Sequence, residues 1–285
     1  MDSPPATTAT PRFPSYETLF NAAGRGEVPR SGFPIITVSL RRLRWSFDGP
    51  LETAISVMAD RWISPDLPPD EPYYQPAPSG DDTAGSGSSN SSGSWHPILQ
   101  DPAMEPNLSS ITVQVSELRD WEDNWLDAHD RHYCPDCADE GQGPADLDPT
   151  QTRIGPLPGA NPDDPDGGWG GGVIFGEDGT VMGHLLMCCG VERPMNTQSR
   201  FRFAVEATGE SGFLTVHDYV EQVHRRLMGW REEILEATAV ARECAGEAPF
   251  SGEDKLMVSV YGTTVRVVDE KEWADKHREP YPGCP

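Results

Sequence analysis

The feature that most constrains this chain is an apolar stripe that runs from Val216 to Thr238. Apolar residues recur there three and four positions apart, which is the period of an amphipathic helix. Thr215 followed by Asp218 fits a capping box, in which each side chain bonds the other residue's main chain, and so predicts where the helix begins. A helix with one apolar face must bury that face against another layer. The sequence therefore predicts a long helix lying on a sheet built by neighbouring segments.

Alternating apolar side chains predict the strands of that sheet. Residues 111–115 and 201–205 alternate apolar and polar positions, as a strand with one buried face does. Residues 173–188 and 255–269 each show two apolar runs around a glycine-containing turn, which is the pattern of a hairpin. Hairpins pair antiparallel. We therefore predict an α+β fold, with a mostly antiparallel sheet and helices packed on one face.

Two shorter patterns lie nearer the amino terminus. Residues 32–47 are rich in β-branched side chains and alternate around Ile36, Val38 and Leu40, so they predict a strand. Residues 51–63 carry apolar side chains three and four positions apart, which predicts a short helix. A strand and a helix of this size are too small to build a core alone, so we expect them to join the same sheet.

Glycine and proline mark the segments that do not fit these patterns. The chain holds 28 of each, and much of the excess lies in tracts with too few apolar residues to offset the entropy lost on ordering. We predict a disordered N-terminus over residues 1–31 and a single α+β domain over residues 32–284. A low-complexity linker, 64–107, and an irregular loop, 133–170, interrupt that domain. The linker's only large anchors are Tyr73, Tyr74 and Trp95.

The formal net charge of −24 limits the partners that this surface can bind. Such a surface repels phosphate backbones and anionic membranes, so we expect no nucleic acid and no membrane partner. Arg41, Arg42 and Arg44 form the one compact basic cluster, and we interpret them as solvated side chains on the open face of the predicted strand.

The expected cellular compartment is inferred from the lack of an export signal and of a membrane-spanning run in the sequence. Its first twenty residues hold no apolar run typical of an export signal, and no later run is long enough to span a bilayer. We therefore expect a cytoplasmic or nuclear protein, in which a reducing environment would keep the six cysteines as free thiols.

The sequence AHDRHYCPDCADE carries the clearest candidate for metal chemistry. Cys134 and Cys137 have the Cys-x2-Cys spacing with which two thiolates reach one zinc ion from a tight turn. A closed structural site needs four ligands, and the nearest others are His129 and His132. This local set is crowded, because His132 and Cys134 are nearly adjacent.

A second ligand set combines distant parts of the chain. Cys134 and Cys137 could be completed by Cys188, Cys189 or His184, which belong to the second strand of the predicted hairpin. The sequence leaves both sets open, beside a loop of free thiols without any cofactor. Redox chemistry is disfavoured, because a reactive Cys-x2-Cys pair stands at a helix N-terminus, whereas here a helix precedes the motif.

The carboxyl-terminal third resembles a family of uncharacterised proteins of filamentous fungi. The resemblance rests on GFLTVHDYVEQVHRRLMGWREEILEA, residues 212–237, and on KLMVSVYGTTVRVVDEKEWA, residues 255–274. It implies a fungal intracellular protein of unknown function, and it transfers no catalytic residue to this chain.

No arrangement of residues in the sequence specifies a reaction. We find no serine, histidine and aspartate arrangement with local support and no metalloprotease motif. The first hypothesis is therefore a non-catalytic domain with an acidic surface that binds another protein. The alternative is a metal- or thiol-dependent enzyme, or a zinc-stabilised module, centred on Cys134 and Cys137.

Overall fold

A computed structural model of the chain describes residues 12–29, 32–77, 93–129, 148–157, 172–175, 180–195 and 197–278. The fold is α+β, as predicted, with mostly antiparallel sheets. It divides into two compact units. The first unit comprises Met1–Val115, Arg202–Arg231 and Gly252–Pro285, and the second comprises Ser116–Phe201 and Glu232–Ser251.

The helices are mostly short. Their bounds are α1 Tyr16–Gly24, α2 Val38–Arg41, α3 Leu51–Ala54, α4 Ser116–Arg119, α5 Trp121–Ala128, α6 Thr197–Arg200, α7 Val216–Gly229, α8 Arg231–Cys244 and α9 Glu270–Lys276. A 3-10 turn spans Pro97–Gln100. None of the helices in the described ranges combines the length and the apolar character needed to pass through a lipid bilayer.

The strands form several small sheets. Their bounds are β1 Ile35–Ile36, β2 Leu43–Trp45, β3 Ile55–Val57, β4 Glu71–Pro72, β5 Tyr74–Gln75, β6 Ser94–Trp95, β7 Met104–Glu105, β8 Ser110–Val115, β9 Arg153–Gly155, β10 Val173–Phe175, β11 Val181–Cys188, β12 Val191–Glu192, β13 Arg202–Glu206, β14 Leu256–Tyr261 and β15 Thr264–Asp269.

The main sheet of the first unit has the order β13-β8-β15-β14. Both β13–β8 and β14–β15 are antiparallel, and only β15–β8 is parallel. Every second residue of β8 is buried, and so is the apolar stripe of α7. The predicted capping box of α7 is present: Thr215 and Asp218 each bond the other's main-chain N–H. The strands predicted at 111–115, 201–205 and 255–269 are thus confirmed.

The second unit is built around β11. This strand pairs antiparallel with β9, β10 and β12, and α4, α5, α6 and most of α8 belong to the same unit. Pairing of β10 with β11 confirms the predicted hairpin, although its turn lies outside the described residues. A buried apolar cluster consists of Trp125, Leu126, Ile174, Leu185 and Cys188.

The helix predicted over residues 51–63 is wrong beyond its first turn. α3 ends at Ala54, and residues 55–57 form β3, which pairs with β2 in the register Trp45↔Ile55. The apolar spacing fits a helix, but partner strands on both sides offer the main chain a ladder instead. The strand predicted over residues 32–47 is likewise interrupted, because Thr37 caps the short helix α2.

The disorder predicted near the amino terminus and in the linker extends too far. Helix α1 begins at residue 16, where the Ser15 hydroxyl accepts a hydrogen bond from the N–H of Thr18. Inside the predicted linker, Tyr73 is fully buried and the rings of Tyr74 and Trp95 lie 4.7 Å apart. These aromatic side chains anchor the described parts of the segment, and Tyr73 and Trp95 pack against His217 of α7. The prediction of one interrupted domain stays a prediction.

Candidate metal centre

The candidate metal centre begins at the carboxyl end of α5. His129 caps this helix and turns its ring back onto Trp125, with the ring centroids 4.3 Å apart. The His129 Nδ1 atom lies 2.7 Å from the Trp125 carbonyl oxygen. A carbonyl only accepts hydrogen bonds, so Nδ1 carries the proton and the lone pair is on Nε2. Metal-binding histidines in proteins are oriented by this kind of contact.

The second part of the site is the turn between β11 and β12. The pair Cys188↔Val191 closes this hairpin, and Cys189 and Gly190 form its two-residue loop. Both loop residues have positive φ, 52° for Cys189 and 77° for Gly190, as a type I′ turn requires. Asparagine or glycine usually fills the first position. Cys189 is the only non-glycine residue with positive φ in the described chain.

These two elements bring three ligand atoms together. One ring nitrogen of His129 and the sulfurs of Cys188 and Cys189 all lie within 4.8 Å of one another. The two sulfurs are 3.9 Å apart, so they are not joined by a disulfide. Two thiolates bound to one tetrahedral zinc at 2.3 Å would lie about 3.8 Å apart. The spacing of the sulfurs therefore already suits a shared zinc ion.

A buried ion pair fixes the same two elements. Arg193, which follows β12, is almost fully buried, and its guanidinium lies 2.8 Å from the carboxylate of Glu122 in α5. Arg193 also lies 3.4 Å from the carbonyl oxygen of Leu185 in β11. Breaking a buried pair leaves an uncompensated charge at a cost of about 3–5 kcal/mol. The ion pair therefore holds the hairpin against α5, where the ligands meet.

The environment of Cys188 keeps its sulfur protonated in the metal-free protein. Burial, and to a smaller extent the neighbouring Cys189, raise the pKa of the Cys188 thiol to about 12. A thiol with such a pKa is a weak nucleophile at neutral pH. A cation that replaces the proton would remove this penalty. The site is thus suited to a bound metal more than to attack on a substrate.

The predicted ligands divide into three groups. His129, from the local set, meets Cys188 and Cys189, from the distant set, so the structure combines the two sets. His184 is not a member of this group; it lies four residues before Cys188 on β11, and burial followed by Arg193 lowers its pKa. Cys134, Cys137 and His132 lie outside the described residues.

A signal in the sequence could have indicated this combination. Cys188 and Cys189 follow the apolar residues 185–187 and directly precede Gly190, at a place where a tight turn favours asparagine or glycine. A cysteine in such a position is strained, and strained residues concentrate at functional sites. The approach of His129 could not be foreseen, because it lies 59 positions before Cys188 in the sequence.

The comparisons with known proteins give no relative for this chain: no family model, no curated protein and no solved structure matches it. The fungal resemblance of residues 212–237 and 255–274 therefore stays a prediction.

Proposed function

We propose that this protein is a non-catalytic binding module whose second unit is stabilised by a zinc ion. The observation that carries the proposal is the approach of His129, Cys188 and Cys189 to within 4.8 Å. Nitrogen and sulfur ligands are those that structural zinc sites use, whereas calcium and magnesium prefer oxygen. The ion would connect the end of α5 to the β11–β12 turn.

A structural role fits this group better than a catalytic one. The group of three contains no carboxylate to act as a base on a metal-bound water. The raised pKa of Cys188 also argues against a thiol nucleophile. Metal binding at a site assembled from two distant segments contributes directly to folding free energy.

A closed tetrahedral site needs a fourth ligand, and the sequence supplies candidates close to His129. Cys134 and Cys137 follow it by five and eight residues. A fully extended chain spans about 3.6 Å per residue, so connections of five and eight residues can reach up to about 18 Å and about 29 Å. His132 is the further candidate. We propose that one of these residues completes the site.

The zinc proposal is tested on the full chain purified without added metal. We expect about one zinc ion per chain by elemental analysis, and a cobalt-substituted form with the absorption bands of tetrahedral thiolate coordination. His129→Gln, Cys188→Ser and Cys189→Ser should each lower the zinc content at least tenfold. Cys134→Ser and Cys137→Ser identify the fourth ligand.

The matched control is Cys244→Ser. Cys244 is an exposed cysteine of α8 in the same unit, and its sulfur lies 3.1 Å from the carbonyl oxygen of Asn124. This variant should keep full zinc content. Wild-type protein without zinc, or equal loss of zinc in Cys244→Ser, would refute the proposal.

We propose that the module acts in the cytoplasm or nucleus by binding another protein. An exposed aromatic pair on the first unit supports this role: Phe20 and Phe33 are 49% and 39% exposed, with ring centroids 5.4 Å apart. Ile35 is 53% exposed in the same stretch. Contiguous exposed apolar side chains are typical of interaction sites. The acidic surface favours a basic partner.

Affinity capture from a cell extract tests the interaction role. We expect a basic partner that the wild-type chain retains at about 0.15 M salt and releases at about 1 M salt, where charges are screened. Phe20→Ser combined with Phe33→Ser should abolish retention, and Phe250→Ser in the second unit serves as the control. Retention that is unchanged by the double substitution would contradict this assignment of the surface.

A further inference from the structure

A cavity of about 260 Å³ lies in the first unit, apart from the candidate metal centre. Strands β2 and β14 and helices α2 and α9 contribute to its walls. Its aromatic residues are Trp45, Trp62, Tyr261 and Trp273. The volume lies just below the roughly 300–1,000 Å³ typical of pockets for drug-sized ligands, so it suits a compact molecule of one or two rings.

The cavity lies between strands of two different sheets, β2 of the three-stranded sheet and β14 of the main sheet. β14 is an edge strand of the main sheet. Directly after β2, Ser46 bridges Met257 and the Phe47 N–H donates to the Leu256 carbonyl at 2.8 Å. Beyond that point the cavity lies between the two strands. In an antiparallel ladder alternate residues direct main-chain groups to the outer edge. Val258 and Val260, which line the cavity, therefore share the edge of Leu256.

The charge of the lining is opposite to that of the whole chain. The protein has 46 acidic and 22 basic residues, yet the described residues around the cavity include Arg41, Arg61 and Lys276 and no aspartate or glutamate. A positive lining in a strongly negative protein concentrates anions locally. The lining therefore favours an anionic ligand over a neutral or cationic one.

Two of the three cations are available for a ligand. Lys276 is paired with Glu272 in α9 at 2.5 Å and lies 5.3 Å from the Tyr261 ring centroid. Among the described residues, no ion pair includes Arg41 or Arg61. The Arg61 guanidinium instead lies 4.8 Å from the ring centroid of Trp62. Arginine beside an aromatic ring can bond an anionic group while the ring contacts the ligand's apolar part.

We propose that this cavity binds a small organic anion with a planar aromatic body. The aromatic side chains contact the ring of the ligand, and Arg41 and Arg61 bind its acidic group, a carboxylate or a phosphate. The neighbouring edge of β14 offers main-chain donors to the same group. This site is independent of zinc.

Three ligands with one ring system test the proposal by titration calorimetry on the full chain: 2-naphthoate, 2-naphthyl phosphate and the neutral 2-naphthamide. At least one of the two anions should bind with 1:1 stoichiometry and at least tenfold more tightly than the amide. The tighter anion identifies the acidic group. The double variant Arg41→Gln/Arg61→Gln should reduce the preference over the amide below threefold.

Two further variants distinguish the contribution of the arginine charges to ligand binding from that of the aromatic side chains. Trp62→Leu should weaken the amide as well as the anions, because it removes ring contact, and the anions should lose at least as much because the same ring packs against Arg61. Arg225→Gln is the matched control: Arg225 is an exposed arginine of α7, paired with Glu221 and absent from the cavity lining. It should bind like the wild type.

Three results would overturn the proposal. They are no binding of either anion, equal affinity for anions and amide, or an unchanged preference in the arginine double variant with its circular dichroism spectrum preserved. Arg41 is exposed and Arg61 is partly exposed, so loss of folding in this variant is not expected.

Discussion

The two units of this protein both bury large apolar side chains, but they differ in the polar groups that lie beside them. In the first unit, large side chains such as Trp45, Phe47 and Tyr219 are almost fully buried. In the second unit, a five-residue apolar cluster adjoins the buried Arg193–Glu122 ion pair and the three candidate ligands. Small cores gain too little from burial alone and usually need a metal or another cross-link. Under the zinc proposal, the ion would add to the stability that apolar burial gives the second unit.

Removing zinc should produce the largest change in stability, and this change should be confined to the second unit. At free zinc about 1,000 times its dissociation constant, binding stabilises the folded state by about 4.1 kcal/mol. A zinc chelator should therefore speed amide hydrogen exchange in α5 and β11 by roughly a factor of 1,000, with little change in β8 and β13. Equal acceleration in both units would show that the ion stabilises the whole chain.

A core truncation in the first unit should give the opposite pattern. Ile111 in β8 is buried, and Ile111→Ala should lower the free energy of unfolding by about 2–5 kcal/mol through lost burial and a cavity. Zinc content should stay at the wild-type value. The measurement is hydrogen exchange of β8 and β13 together with elemental analysis. Parallel loss of zinc would instead support the predicted single domain.

The effect of Cys189→Asn on the free energy of unfolding should be stabilising without zinc and destabilising with zinc. Cys189 has φ of 52°, and asparagine tolerates this region better, so the metal-free variant should gain roughly 0.5–1 kcal/mol of stability. With zinc present the same variant should be less stable than the wild type, because a ligand is missing. Thermal unfolding with chelator and with zinc measures both. Destabilisation under both conditions would refute a metal role for this residue.

The smallest expected effect is a pH dependence carried by His224 in the first unit. Its Nδ1 accepts from the Trp45 indole N–H at 3.3 Å, and its Nε2 donates to the Gly49 carbonyl at 3.2 Å. Burial lowers its pKa, with smaller opposing contributions from Gly49 and Glu52. Its stabilising contribution is complete above pH about 6.5, the unfolded value, and is lost as the pH falls towards the lower folded value.

His224→Gln tests this dependence. Glutamine keeps one donor and one acceptor but does not titrate, so the variant should lose less stability than the wild type between pH 7 and pH 5. The difference cannot exceed about 1.4 kcal/mol per pH unit for one proton. Urea unfolding at both pH values provides the measurement. Identical losses in the two proteins would show that His224 contributes nothing to the pH dependence.

The sequence by itself determined the elements whose signals are local. The capping box at Thr215 and Asp218, the alternation in β8 and the hairpin of β14 and β15 each depend on neighbours a few residues apart. Residues a few positions apart are close in space whatever the rest of the fold is, so periodicity and turn chemistry suffice to predict these elements.

Only the tertiary structure decided the features that depend on distant partners. Residues 55–57 became β3 because β2 and β4 flank them, although their apolar spacing fits a helix. His129 meets Cys188 across 59 residues, and the cavity arises where β2 leaves β14. Local patterns fix the direction of a side chain along its own element. Which other element it meets depends on how all the buried surfaces pack together, and a single sequence read locally does not contain that result.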